Sequence, residues 1–436
     1  MKKLSYLVCL LIGAVLSFGV SSCGSNGSNE EPNRPETGKI NQGGGNQQTP
    51  ETQKKQIETT AKKIIGFIHT DDFKELDAIT YRLNHYYLSN QKVANVRRWA
   101  DDIVESLTQS IETGKPNEKE YARIIDASRF KGHFEFKDGV WKRTRNAEVL
   151  EFQFEDKDNK ECLLSLSTSG KSTEVNSKYF NDVYKEWGYY HSTTTTTTYK
   201  NKVVVPENIT LLLKQGGEDL VRTNIQTTLK TKGELNPTID VMEVNCETRF
   251  RAYEVNVKRA YYKGPGLAEV NLEVRSDGKT LVKANVNAVG RLSNERIESV
   301  GTVNVNVDLL GEIQIKGACK DGSRFSEIYK DLENNRGFYY NERKFKEATR
   351  DANEQLNLNV YMNNNKSEVA RLLLKAFSEK RNYVSNDEIW YVEPAIQFND
   401  ETAYAMSEYF TKNAFPDVFR EINNMVNTMR SLFQFN

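Results

Sequence analysis

The sequence is poor in the residues that most often do chemistry. Histidine occurs four times, at His69, His85, His133 and His191, and cysteine five times, at Cys9, Cys23, Cys162, Cys246 and Cys319. No HExxH, HxxxH or CxxC brings them to metal-ligand spacing, so no metal and no cofactor is expected. The P-loop, GxGxxG and GxSxG are missing too, which removes the nucleotide, dinucleotide and esterase signatures. An excess of one charge is also lacking, since 60 basic residues balance 60 acidic ones. That balance argues against a nucleic-acid partner, and pairs such as Lys62-Lys63 and Arg97-Arg98 stand beside acids and read as solvated helix faces. Carboxylate pairs such as Asp101-Asp102 point apart on a helix and make no acid/base couple. The chain therefore reads as no enzyme, the minor alternative being a hydrolase assembled from distant strands without a motif.

Long apolar runs are scarce as well. The one at the start, Leu4 to Gly19, follows Lys2-Lys3 and ends in Val20-Ser21-Ser22-Cys23. It is short for a bilayer span, which wants about 20 apolar residues, and no basic stop-transfer cluster follows it. The small residues before Cys23 resemble a bacterial lipobox, which implies removal of residues 1–22 and acylation of Cys23 with palmitate-type chains. Each buried methylene contributes about 0.8 kcal/mol, so several chains on one residue anchor firmly. The expected membrane partner is thus reached through Cys23. Gly24 replaces the aspartate that retains lipoproteins on the inner membrane of enteric bacteria, so the outer membrane is expected. Its periplasmic face and the cell surface both stay open, with Glu30-Glu31 standing late for a surface-export tract.

Residues 23–53 are rich in Gly, Asn, Ser, Gln and Pro and read as a flexible tether. About 30 such residues reach roughly 30 Å. Residues 54–127 form a segment of helical period, with stripes Ile57, Ala61, Ile64, Ile68, then Phe73, Leu76, Ile79, Leu83, Tyr87, then Val93, Val96, Ala100, Ile103, Leu107, Ile111. Asp71-Asp72 and Ser89-Asn90 punctuate the joints.

Residues 128–436 read as an antiparallel β-rich domain with C-terminal helices. Phe134 and Phe136 lead to an Asp138-Gly139 turn, Leu150, Phe152 and Phe154 alternate beyond it, and similar alternation returns around Leu211, Val255 and Val305. ITLLLKQGGEDLVRTNIQ, from Ile209, aligns without gaps to VNLEVRSDGKTLVKANVN, from Val270, each copy reading as strand, tight turn, strand. The two hairpins are expected at corresponding places in one sheet. Thr193 to Thr198 is a run of six threonines, read as an edge strand kept soluble by hydroxyls, with a sugar-facing strip as the rival reading. Toward the C-terminus, Phe325–Leu332, Phe345–Leu356 and the stripe Val369, Leu372, Leu373, Ala376, Phe377 predict helices, the last capped by Asn365 or Ser367. Leu358 to Met362 and Trp390 to Ile396 predict strands, and Pro416 opens a final helix with Phe419, Ile422, Val426, Met429 and Phe433 on its buried face. The fold class is α+β: a curved antiparallel β-meander, in its most closed form a half-barrel, with an N-terminal helical segment and C-terminal helices. Cys162, Cys246 and Cys319 read as buried thiols, with one disulfide and one free thiol as the alternative.

The lipobox, the tether, FKGHFEFKDGVW (Phe130 to Trp141), VPENITLLLKQGGEDL (Val205 to Leu220) and AIQFNDETAYAMSEYF (Ala395 to Phe410) resemble uncharacterised outer-membrane and surface lipoproteins of Bacteroidota. The resemblance implies an envelope role and transfers no catalytic residue. The leading functional expectation is a binding protein for a glycan or protein partner. Its candidate anchors are the aromatic clusters Trp187, Tyr189, Tyr190; Tyr261, Tyr262; and Tyr339, Tyr340, because aromatic rings stack on sugars and anchor interfaces. The alternative is a carrier holding an acyl chain or another hydrophobic small molecule in a half-barrel groove.

Overall fold

A computed structural model describes residues 49–85, 121–137, 140–187, 192–234, 237–264, 266–292, 297–334, 340–362, 368–380, 388–405, 420–421 and 423–428. The signal, Cys23, the third predicted helical stripe, the Asp138-Gly139 turn and the caps Asn365 and Ser367 lie outside these residues. Among the described residues four α-helices, α1 (Pro50–Gly66), α2 (Lys74–His85), α3 (Gly322–Asn334) and α4 (Glu342–Gln355), accompany the strands, and residues 420–421 and 423–428 are helical too. The class is α+β. No described helix is long and apolar enough to cross a membrane.

Contacts divide the chain into two units: Thr70–Pro265 with Ser431–Asn436, here the central unit, and Met1–His69 with Gly266–Arg430, the flanking unit. The central unit holds β1 (Tyr121–Asp126), β2 (Gly132–Lys137), β3 (Val140–Arg145), β4 (Leu150–Glu155), β5 (Glu161–Trp187), β6 (Ser192–Gln215), β7 (Glu218–Lys232), β8 (Thr238–Phe250) and β9 (Tyr253–Lys263). From β4 to β9 each strand pairs antiparallel with the next, while β2 pairs parallel with β4 and β1 parallel with β6. Strand β1 falls within the segment expected to be helical. Ile124 and Ile125 are β-branched, and a parallel partner at Lys202 and Val203 satisfies backbone groups that a short isolated helix would leave unpaired.

The flanking unit holds β10 (Leu267–Ser276), β11 (Lys279–Leu292), β12 (Ile297–Leu309), β13 (Ile313–Cys319), β14 (Leu356–Met362), β15 (Glu368–Lys380), β16 (Glu388–Phe398) and β17 (Ala403–Ala405). Every consecutive pair is antiparallel. Strand β15 corrects the helix expected there. Its apolar residues fit a helical stripe, but Ala370, Leu372 and Leu374 share one face of an interior strand and Arg371, Leu373 and Lys375 the other. Pairing on both edges outweighs the weak local preference for helix.

The sequence repeat has a structural counterpart, one copy in each unit. The β6–β7 turn carries positive φ at Gly216 (59°) and Gly217 (87°), and the β10–β11 turn at Asp277 (50°) and Gly278 (73°), the hairpin turn that matches strand twist. One residue beyond each turn the register slips, Leu213↔Val221 giving way to Lys214↔Asp219, and Val274↔Val282 to Arg275↔Thr280. The extra residues are Leu220 and Leu281, both buried. A bulge turns the added side chain inward and increases the local twist.

Helix α1 starts at Pro50, a few residues before the expected boundary at residue 54, and is capped by Thr49, whose hydroxyl accepts from the Thr52 amide at 3.4 Å. Its Ile57, Ala61 and Ile65, with Ile68 just beyond its end, pack on Ile313, Val360, Met362, Val369, Ala370 and Phe398, with Met425 and Val426 of the C-terminal helical residues joining them. Phe345, Leu332 and Ala352 of α3 and α4 pack on Leu374, Trp390 and Val392. In the central unit Phe134, Leu150 and Phe152 form a small core with Trp141. Cys162, Cys246 and Cys319 are all free thiols, the first and last buried.

Candidate ligand-binding face

The flanking sheet sorts its side chains into two sharply different faces. Leu272, Ala284, Val307, Ile315, Val360, Ala370 and Phe398 lie opposite one another across consecutive strands β10 to β16, and the last four pack in one core with α1. One residue along, the same registers align Asn271, Asn285, Asn306, Lys316, Asn359, Arg371 and Gln397 on the other face. A second row on that face reads Glu269, Asn287, Asn304, Ala318, Asn357. Seven asparagines thus form a two-row grid over β10, β11, β12 and β14, with neighbouring strands roughly 4.8 Å apart.

Asparagine is depleted in strands, so its concentration on one face needs a cause. Part of the cause is mutual hydrogen bonding. Asn285 Nδ2 donates to Asn271 Oδ1, Asn271 Nδ2 donates to Glu269 Oε1 at 2.9 Å, and Asn304 Nδ2 donates to Asn287 Oδ1 at 2.8 Å. These bonds fix carboxamide orientation, yet each carboxamide has two donors and two acceptor lone pairs, and one or two bonds leave the rest facing water. Asn304, Asn306 and Asn357 are exposed, and Asn271, Asn285, Asn287 and Asn359 half-buried.

The grid has an apolar border on the same face: Leu267 pairs with Val289, and they are 37% and 53% exposed. At its other side Lys316 stands 5.8 Å from the ring centre of Tyr361, and Arg371 donates to Gln397 Oε1 through Nε at 2.7 Å. Burial raises the Glu368 carboxyl above its usual range, opposed by the Arg371 charge. The face therefore combines oriented neutral donors and acceptors, an exposed apolar strip and a few cations. Its chemistry suits hydroxyl-rich, largely uncharged molecules, which it could hold by many weak bonds.

Of the aromatic residues expected as anchors, Trp187, Tyr261, Tyr262 and Tyr340 are among the described residues. Cys23, Tyr189, Tyr190 and Tyr339 lie outside the described residues. Trp187 ends β5, opposite Ser192. Tyr261 and Tyr262 belong to β9 and, as strand neighbours, point to opposite faces; the Arg259 guanidinium sits 4.1 Å from the Tyr261 ring centre. Tyr340 lies in the flanking unit, exposed just before α4.

Two clefts are also accounted for. One of about 400 Å³ in the central unit is lined by Asp71, Asp72, Glu75, Lys160, Gln215 and Arg251. Its groups are engaged structurally, with Tyr253 Oη donating to Asp72 at 3.0 Å and Arg251 Nε to Glu75 at 2.9 Å. The other, of about 630 Å³, is a charged groove between α3 and α4. Buried His133 lies 2.7 Å from Glu151, which also pairs with Arg145 at 3.3 Å. Among the described residues no three His, Cys, Asp or Glu side chains converge to hold a metal ion.

Sequence reading missed the amide grid although its signal is present. Asn285-Val286-Asn287, Asn304-Val305-Asn306 and Asn357-Leu358-Asn359 repeat an Asn-apolar-Asn triplet in three strands. Period two places both asparagines of each triplet on one face. No protein-family model matches this chain, no curated protein is significantly similar to it, and no solved structure matches its fold.

Proposed function

We propose that this protein is a lipid-anchored, non-enzymatic binding protein of the bacterial outer membrane whose ligand is an extended, largely neutral glycan laid across β10 to β14. The observation that carries the reading is the asparagine grid. Carboxamides bonded to one another are held ready, so little side-chain entropy is lost when a ligand docks. Their repeat from strand to strand suits a polymer that presents hydroxyls at a regular step. Leu267 and Val289 offer an apolar strip for the C–H face of a sugar ring, as an aromatic platform would. The lipobox and the tether support the anchor, and acylated Cys23 would carry it.

Immobilised envelope polysaccharides test the reading. The full-length protein should be retained on at least one and released by its free oligosaccharide; failure to be retained on any of them refutes glycan binding. Replacing Cys23 by serine should move the protein from the membrane to the soluble fraction, and continued membrane association would refute the anchor.

A second reading has its own observation. In the central unit Val221, Ile225 and Leu229 alternate along one face of β7 and are only half-buried, and Ile239 and Met242 of β8 are exposed. An apolar face left this open among the described residues suits an acyl chain. Saturable displacement of a fluorescent fatty-acid probe, lost in Ile225→Asp, would favour this reading over the first.

A further inference from the structure

The threonine run occupies a position that the glycan reading does not use. Strands β5 and β6 pair with each other along nearly their whole length, from Cys162↔Gln215 to Trp187↔Ser192. On its other edge β6 pairs with β7 at Asn208 to Gln215 and with β1 at Lys200 to Val204. From Ser192 to Tyr199 β6 has no strand on that edge among the described residues. This stretch and its partner, Tyr179 to Trp187, make a two-stranded ribbon. Such ribbons are marginal in water, and their open edges are normally blunted by charge, proline or a bulge.

The ribbon's two edges are treated differently. The β5 side carries a register break at Asn181 and Asp182, and charges at Lys185 and Glu186. The β6 side carries Thr193 to Thr198, with no charge, no proline and no break against its partner between Thr193 and Thr196. Threonine is among the strongest strand formers, and Thr–Thr pairs across an antiparallel ladder are favourable. One edge is protected and the other is left open in the residue type best suited to pair.

We propose that this edge is a self-association surface, and that its occupant is the same edge of a second copy of the chain. Antiparallel pairing about a two-fold axis at Thr195, normal to the ribbon, sets Thr193 to Thr197 of one copy against Thr197 to Thr193 of the other. The axis makes the contact isologous and closed, so it stops at a dimer. A homopolymeric run is complementary to itself without any other partner, which is why a second copy is the occupant. In that register Thr195 stands opposite Thr195 of the other copy, and Thr194 opposite Thr196.

Two measurements on the full-length protein in detergent test the proposal. Sedimentation velocity over about a hundredfold range of concentration should show a monomer–dimer equilibrium, and Thr195→Lys with Thr197→Lys should raise its dissociation constant at least about tenfold by placing like charges across the seam. Circular dichroism of the double variant guards against loss of folding. Independently, the Thr195→Cys protein alone should give a disulfide-linked dimer on mild oxidation, whereas the Thr198→Cys protein and the wild type should not. A wild-type monomer throughout, a dimer indifferent to the lysines, or cross-linking of Thr198→Cys equal to that of Thr195→Cys would overturn the proposal.

Discussion

Asn353 offers the sharpest test of how the flanking sheet is completed. It lies in α4, and its side chain binds both backbone groups of Leu374 in β15: Nδ2 donates to the Leu374 carbonyl at 2.8 Å, and Oδ1 accepts from the Leu374 amide at 2.7 Å. Strand β14 pairs with β15 only as far as Leu358↔Leu372, so the carboxamide takes over where the ladder stops. Leu374 is buried, and water cannot easily replace the lost partner. Replacing Asn353 by alanine leaves one donor and one acceptor unsatisfied. At about 1–3 kcal/mol each, offset by some solvent entry from the half-buried helix side, the expected loss is about 3 kcal/mol. With an m-value of about 2 kcal/mol per M in urea, the midpoint should fall by about 1.5 M. The fluorescence of Trp390, which packs on the same helix pair, reports this unit. Asn353→Asp keeps the acceptor and loses the donor, and should also be destabilised. A midpoint shift below about 0.3 M for Asn353→Ala would refute the reasoning.

Three further outcomes follow from single sites. Gly317 has φ of +148°, and an added Cβ would collide with the backbone carbonyl of Asn357, so Gly317→Ala should cost about 2–3 kcal/mol, seen as a lowered thermal midpoint. The Glu312 carboxyl is held below its usual range by hydrogen bonds from Lys63 (2.5 Å) and Thr60 (2.7 Å). Because its folded pKa is depressed, its contribution is complete above the ordinary carboxylate pKa and is lost as pH falls through the folded value. Glu312→Gln should therefore flatten the fall in melting temperature on acidification, and an unchanged acid limb would contradict the assignment. Burial pushes the Cys162 thiol up to about 12, so a thiol reagent at pH 8 should label Cys246 in the folded protein and leave Cys162 untouched until denaturant is added.

Much of the fold was legible because local and tertiary preferences agreed. Phe134, Phe136, Leu150, Phe152 and Phe154 alternate in the sequence and form buried strand faces, and Phe345 to Ala352 keep a helical stripe that packs as one. The Gly216-Gly217 and Asp277-Gly278 turns could be placed because only such pairs tolerate positive φ in succession. Strand β15 was misread because Val369, Leu372, Leu373, Ala376 and Phe377 satisfy a helical stripe, while neighbours about ten and twenty residues away decide its pairing. The asparagine face was missed for a related reason. Each triplet is unremarkable alone, and only register, a long-range property, joins the triplets into a grid. Aromatic clusters drew attention because each is visible within a few residues, yet adjacent positions on a strand face opposite ways.

Calorimetric titration of the full-length protein with the oligosaccharide that elutes it from an immobilised envelope polysaccharide tests the central claim most directly, with Asn304→Ala and Asn306→Ala combined as the probe. Both side chains are exposed, so melting should change little. The account predicts that the combined variant binds at least about tenfold more weakly, through two or more lost hydrogen bonds to the ligand at about 1 kcal/mol each. Equal affinity in the variant and the wild type would contradict a glycan site on this face.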